Sequence, residues 1–139
     1  KFFDLKETKF DQDKEETKQK VKAIINNIDP VRIFLHSAND PHPDHNNVNK
    51  IVLEAIDSMN YKGDVYSFDV WNILSFKDTN NPRLVVNISD TLKMKSKALK
   101  CFKSQGLSLL LLLPFIYTKN FIDGFKNNMR FAEVFQKVR

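Results

Sequence analysis

Residues 31–59 hold the pattern that most restricts how this chain folds. An apolar run, Val31–Leu35, leads into a polar loop, His36–His45, and then into Val48, Ile51, Val52, Ala55, Ile56 and Met59. A short apolar run reads as a strand buried on both faces, as in a parallel sheet. Apolar residues recurring three and four apart read as a helix with one buried face. In open α/β sheets the loop leaving the carboxyl end of a strand is where ligands bind. This loop carries all three histidines of the chain, together with Asp40 and Asp44, and Pro41 and Pro43 stiffen it. Imidazoles and carboxylates gathered at a strand end can bind a metal or move protons.

The pattern repeats along the chain. Lys1–Leu5 reads as a strand. Asp13, with Glu16 three residues on, reads as a capping box, followed by a helical stripe of Val21, Ile24, Ile25 and Ile28 that Asp29-Pro30 stops. After the loop, Asp44 is placed as the N-cap of the helix 48–59, which Tyr61-Lys62-Gly63 ends. Asp64–Trp71 and Arg83–Ile88 are strands around a polar loop at 75–82. Ser89 or Asp90 caps a helix to about Ser104, the leucine run 107–113 opens a further helix with Pro114 in or near its first turns, and Arg130–Val138 is a closing strand. Alternation of this kind predicts a single α/β domain over 1–139 with a mostly parallel sheet covered by helices.

Composition narrows the function classes. Only three glycines, at 63, 106 and 124, leave no phosphate-cradling loop, and no Gly-x-Ser-x-Gly elbow exists. The net charge of +5 is spread mostly over helix faces with glutamates among the lysines, so it reads as a solvated surface, and no nucleic-acid partner is expected. The single cysteine, Cys101, fits a reducing, cytoplasmic compartment and reads as a buried or inert thiol. The stretch 107–117 is too short to span a bilayer and contains Pro114. It reads as core, with a membrane surface or a subunit contact, as in a homo-oligomer, as the other use. The chain starts at Lys1 within what reads as a strand, so an upstream segment of the same protein is expected.

Within the loop, His42 and His45 are three apart across Pro43, with Asp44 between them. With Asp44 at the helix start, His45 falls in the first turn and the pair can face one cleft. One imidazole can hold a metal while the other donates a proton. The plainer reading is a helix cap with polar loop histidines. Ser37 near His42 could be drawn as a nucleophile, but a loop serine is more often a turn residue.

The stretch Asp40-Pro41-His42-Pro43-Asp44-His45 resembles the second signature of the LmbE-like, or PIG-L, family of zinc-dependent N-acetylglucosaminyl deacetylases. Asn87-Ile88-Ser89-Asp90, Lys95, Lys97-Ala98 and Ser104-Gln105 look like the family's later helix. Gly124 and Phe131-Ala132-Glu133-Val134-Phe135 look like its closing strand. The resemblance implies a Rossmann-like three-layer α/β fold, truncated at its N-terminus, and removal of an acetyl group from an amino sugar. It implies zinc, or another divalent metal, with His45 as a metal ligand. His42 would face the substrate carbonyl as a catalytic residue, and Asp44 would hold His42 charged and oriented. The family's first signature, of the His-Pro-Asp-Asp-Glu type, has no counterpart here, and Asn87 stands where an acidic residue is expected. The resemblance therefore implies a chain that holds one of three metal ligands and is inactive alone. The alternatives are a non-catalytic sugar-binding or interaction protein that keeps the fold, and a metal hydrolase of phosphoesters.

Overall fold

The computed structural model describes residues 14–69, 81–102 and 106–139, and for 106–110 the helical backbone alone. The expected strand at 1–5, the cap at Asp13, most of the loop at 75–82 and the Ser104-Gln105 pair lie outside the described residues.

By its internal contacts the chain divides into two compact units, residues 1–81 with 136–139, and residues 82–135. The first unit begins with helix α1 (Lys14–Ile28). Its stop is as expected: Asp29 closes the last turn through its N–H to the Ile25 carbonyl at φ 47°, a left-handed conformation that aspartate tolerates. Strand β1 (Arg32–His36) follows, then helix α2 (Pro43–Met59), then strand β2 (Asp64–Phe68). β1 and β2 pair in parallel from Arg32↔Asp64 to His36↔Phe68, with α2 as the crossover. Asn60, at φ 53°, ends α2 in the left-handed cap that asparagine favours, one residue ahead of the expected Tyr61-Lys62-Gly63 stop. Ile25, Leu35, Ile56 and Val65 form the buried cluster that joins α1, β1, α2 and β2. Each such side chain contributes roughly 1.5–3 kcal/mol by leaving water.

The second unit holds strand β3 (Arg83–Asn87), helix α3 (Leu92–Lys100), helix α4 (Gly106–Lys126) and most of strand β4 (Ala132–Lys137). Ile88, Leu92 and Ala132 are its buried apolar residues. Gly124 is needed where the chain leaves α4, because a Cβ there would stand 2.7 Å from the Phe131 Cα. Pro114 lies inside α4, and Cys101 is exposed.

The strand order is β1-β2-β4-β3, and the sheet is mixed, not mostly parallel. β4 runs antiparallel to β2, with Tyr66 opposite Lys137 and Ser67 opposite Gln136. Val138 donates its N–H to the Val65 carbonyl at 2.8 Å, and Val65 donates to the Arg139 carbonyl at 3.1 Å. This near-reciprocal exchange belongs to antiparallel ladders. An apolar period fixes that a segment is a strand, and says nothing of the direction in which it pairs. Here the partner is chosen by backbone pairing and by the Lys137–Asp64 ion pair at 2.5 Å. That ion pair also holds the Asp64 carboxyl below its ordinary range.

Candidate active site

The histidine loop leaves the carboxyl end of β1, and its first task is to turn the chain into α2. Ser37 does not lie ready as a nucleophile: its Oγ accepts the Asn39 N–H at 3.2 Å, a local turn contact. Asp40 makes the next turn, its Oδ1 accepting the His42 N–H at 2.9 Å. The helix cap then falls two residues earlier than the Asp44 expected from the sequence. His42, not Asp44, is the N-cap, with extended backbone and Pro43 in the first turn behind it. Proline suits that position because its missing N–H has no partner to lose. The cap bond runs from the Asp44 N–H to His42 Nδ1 at 3.2 Å.

The cap settles which nitrogen of His42 carries the proton. Nδ1 accepts, so it holds a lone pair, and the proton of the neutral ring is on Nε2. The ring is therefore arranged to donate from Nε2. His42 and Asp44 are joined through the Asp44 backbone N–H.

His45 lies one turn into α2, and its Nδ1 stands 2.9 Å from Asp40 Oδ1. The approach is not aligned well enough to count as a hydrogen bond, and His45 Nδ1 is buried without one. It is a close charge contact. The Asp40 side chain is fully buried, and a carboxylate so placed favours the Nδ1–H form of a neighbouring imidazole. That leaves Nε2 of His45 with its lone pair, the form that a metal ligand needs.

His36 completes a column of rings. It stacks on His45 with centroids 4.0 Å apart and planes 4° from parallel, and His42 stacks on His45 with centroids 4.7 Å apart. Phe68, across the β1–β2 pair, lies 4.9 Å from His36. Burial pushes the His36 imidazole below its ordinary value, and the neighbouring His45 lowers it further while Asp40 opposes the shift. Asn49, buried one turn after His45, donates its side-chain amide to the His36 carbonyl at 2.7 Å and clamps α2 to the end of β1.

His42, Asp44 and His45 thus lie together at the strand end, and His36 joins them. Asp40 and Asn49 were not singled out as site residues. Asp40 two residues before His42 was a legible Asx-turn signal. Asn49 at four residues from His45, on the edge of the apolar stripe, gave only the hint of a polar residue near a helix's buried face. Asn87 is occupied in a turn of its own: its Oδ1 accepts the N–H and the hydroxyl of Ser89 at 3.0 and 2.7 Å.

The donor set tests the metal. The described residues contain no group of three His, Cys, Asp or Glu side chains placed to hold an ion. His45 offers one suitable nitrogen, with Asp40 behind it as the orienting carboxylate. The loop fits as one ligand of a metal site and does not close a site by itself. Beside it, on the β1 face, lies a cavity of about 420 Å³ lined by α1, β1 and α2 residues such as Ile24, Phe34 and Val52, with His36 at its border. Its walls are apolar, ill-suited to a hydroxyl-rich ring.

Comparison with known proteins agrees with this geometry. The PIG-L family, described as GlcNAc-PI de-N-acetylase, matches residues 1–56, which include the whole histidine loop. Among solved structures, the zinc-inhibited form of teicoplanin deacetylase Orf2 is similar with a TM-score of 0.72 and 16% identity over 99% of this chain and 55% of that one. The 4-carboxy-2-hydroxymuconate hydratase GalB from Pseudomonas putida KT2440 gives 0.70 and 17%, over 90% of this chain and 59% of that one. The N,N'-diacetylchitobiose deacetylase from Pyrococcus horikoshii gives 0.67 and 21%, over 88% of this chain and 51% of that one. At such identities the solved structures show a shared α/β fold, and one of them is a hydratase, so fold alone does not choose the reaction. The chain spans little more than half the length of each of these three. The family match falls on the stretch that carries the loop: residues 1–56, less than half of the chain, are similar to the PIG-L, or LmbE-like, family.

Proposed function

We propose that this chain is part of a metal-dependent hydrolase that removes the acetyl group from an N-acetylglucosamine-type substrate. The observation that carries the reading is the buried Asp40 carboxylate held 2.9 Å from His45 Nδ1 at a strand end, beside a His42 whose Nε2 bears the proton. Such a pairing prepares one imidazole to ligate and the next to donate. The family match over the loop supports the reaction class.

On this reading His45 is a ligand of a zinc ion through Nε2. The ion, when bound, supplies Lewis acidity and an acidified water. His42 serves as the proton donor, giving a hydrogen bond from Nε2 to the acetamide oxygen as negative charge grows on it, or a proton to the departing amine. In the neutral ring Nδ1 accepts the Asp44 N–H, which aims Nε2–H at the acetamide oxygen. Delivery of a proton to the amine requires the doubly protonated ring, which gives up that cap bond. The Asp44 carboxylate is assigned a supporting role, favouring the charged form of His42 when the ring is protonated. Asp40 keeps the tautomer of His45, and Asn49 keeps the strand end and the helix start in register. The remaining ligands and the general base are assigned to residues outside this chain.

The test is release of acetate from N-acetylglucosamine-containing substrates by the full-length protein. His45→Ala should lower it by about a thousandfold or more, the scale lost when an essential member of a catalytic constellation is removed. Absence of acetate release by the metal-supplied wild type would sink the proposal. Release of phosphate from phosphoesters instead would move the protein to a different hydrolase class.

A further inference from the structure

Helix α4 is arranged inside out. Leu111, Phe115, Phe121 and Phe125 fall on one face at helical spacing, and that face is open to solvent, with Phe125 76% and Leu111 65% exposed. Pro114 and Thr118, on the same face, are also exposed. The opposite face holds Asn120, only 4% exposed, and the Lys119–Asp123 ion pair at 2.6 Å. A surface helix of a water-soluble domain ordinarily buries its apolar stripe and shows its polar one. Single exposed apolar residues need no explanation, but a stripe three turns long does.

The positive charge of the chain falls in the same unit as that stripe. Residues 82–135 carry nine Lys and Arg against three Asp and Glu, a net +6, while the rest of the chain, with thirteen against fourteen, is −1. Part of this charge is on α3, where Lys93, Lys97 and Lys100 share an exposed face with Met94, and none of the three lysines is ion-paired among the described residues. The Ser96 hydroxyl is hydrogen-bonded to that of Tyr117, which ties α3 to α4. No helix among the described residues is long and apolar enough to cross a membrane. An exposed apolar stripe with lysines alongside is the pattern of a helix lying in the interface of an anionic bilayer, its aromatic side chains among the acyl chains and its lysines near the headgroups.

We propose that the outward face of α4, with the lysine face of α3, seats residues 82–135 on an anionic lipid surface. The inference is independent of the deacetylase reading. It also takes the second use of the leucine-rich stretch that the sequence left open, in place of a purely buried one.

The experiment is flotation of the full-length protein with vesicles of phosphatidylcholine alone and with roughly one part in four of phosphatidylserine. The wild type should float with the anionic vesicles, and added salt should release much of it, since interactions between exposed charges are screened. Phe121→Ser with Phe125→Ser should lower the partition by about tenfold or more, the loss expected when two aromatic side chains no longer insert. Lys93→Gln with Lys97→Gln should bring binding to anionic vesicles down towards that to phosphatidylcholine. This pair alters only exposed charge, so it still decides the matter if the phenylalanine pair fails to fold by circular dichroism. Failure of the wild type to float, or flotation indifferent to both pairs, would overturn the proposal. So would a concentration-dependent dimer in sedimentation that the phenylalanine pair dissolves, since the stripe would then belong to a second copy.

Discussion

Asp40 answers to two demands at once. Its Oδ1 accepts the His42 N–H and lies against His45 Nδ1, so one oxygen sets both the turn and the state of the second imidazole. Asp40→Asn separates the two tasks. The amide oxygen can still accept from His42, so the turn and the fold should persist. The negative charge that favours Nδ1–H on His45 is gone, and metal affinity or activity should fall by about 10–100-fold, the usual cost of losing an orienting carboxylate. The measurement is zinc affinity beside the melting midpoint, and equal loss in both would mean that Asp40 is only structural. Asn49→Ala should act on the same site from the helix side. It leaves the His36 carbonyl without its donor, at a cost of about 1–3 kcal/mol if water cannot replace it, measurable by denaturant unfolding. His36 itself makes a pH prediction. Burial holds its imidazole below the ordinary value of about 6.5, so the folded chain prefers it neutral. Its contribution to metal-free stability should be whole above that ordinary value. It should fade as the pH falls through it towards the lower folded-state value. His36→Gln should flatten this part of the stability–pH curve, and an unchanged slope would place the titration elsewhere.

Elements were legible where their signals are local. The period of Val21, Ile24, Ile25 and Ile28 and the Asp29-Pro30 stop mark α1, and the run to Leu35 marks β1. The cap of α2, two residues before Asp44, was not legible because a histidine rarely competes with aspartate as an N-cap. Here the proline at 43 decides, taking the first-turn position and leaving the cap to His42. The direction of β4 was not legible at all, since it is set by the pairing of Tyr66 with Lys137, far apart in sequence. The orientation of α4 was hidden for a related reason: a stripe of leucine and phenylalanine reads the same whether it turns inwards or outwards. The role of Gly124 is likewise invisible to periodicity, because it depends on the chain returning against it at Arg130 and Phe131. Gly124→Ala is therefore a test of the α4–β4 corner. Helix propensity alone would favour alanine by about 1 kcal/mol. The close backbone contact should outweigh this, for a net loss of about 1–3 kcal/mol in denaturant unfolding, as overpacking typically costs. A stabilised variant would mean that the corner gives way easily.

At the scale of the whole molecule the site is divided in its chemistry. The described residues bring three imidazoles and two carboxylates to one strand end, yet they form no group of three placed around an ion. His45 alone is poised as a ligand, its tautomer set by Asp40. The chain also covers between 51% and 59% of three solved chains of similar fold. If the missing donors are supplied by residues outside the chain, metal binding and folding should be linked weakly here and strongly in the longer protein. A ligand that binds only the native state stabilises it by about 2.7 kcal/mol when present at roughly a hundredfold excess over its Kd. A lone imidazole cannot reach that condition at micromolar zinc. The melting midpoint of residues 1–139 should therefore be the same in micromolar zinc as in a chelator. The full-length protein should melt several degrees higher with zinc, and His45→Ala should remove that gain while leaving the metal-free midpoint nearly unchanged. A large zinc-dependent rise in residues 1–139 alone would show that they close a metal site by themselves, and the assignment of the other ligands to residues beyond the chain would then be wrong.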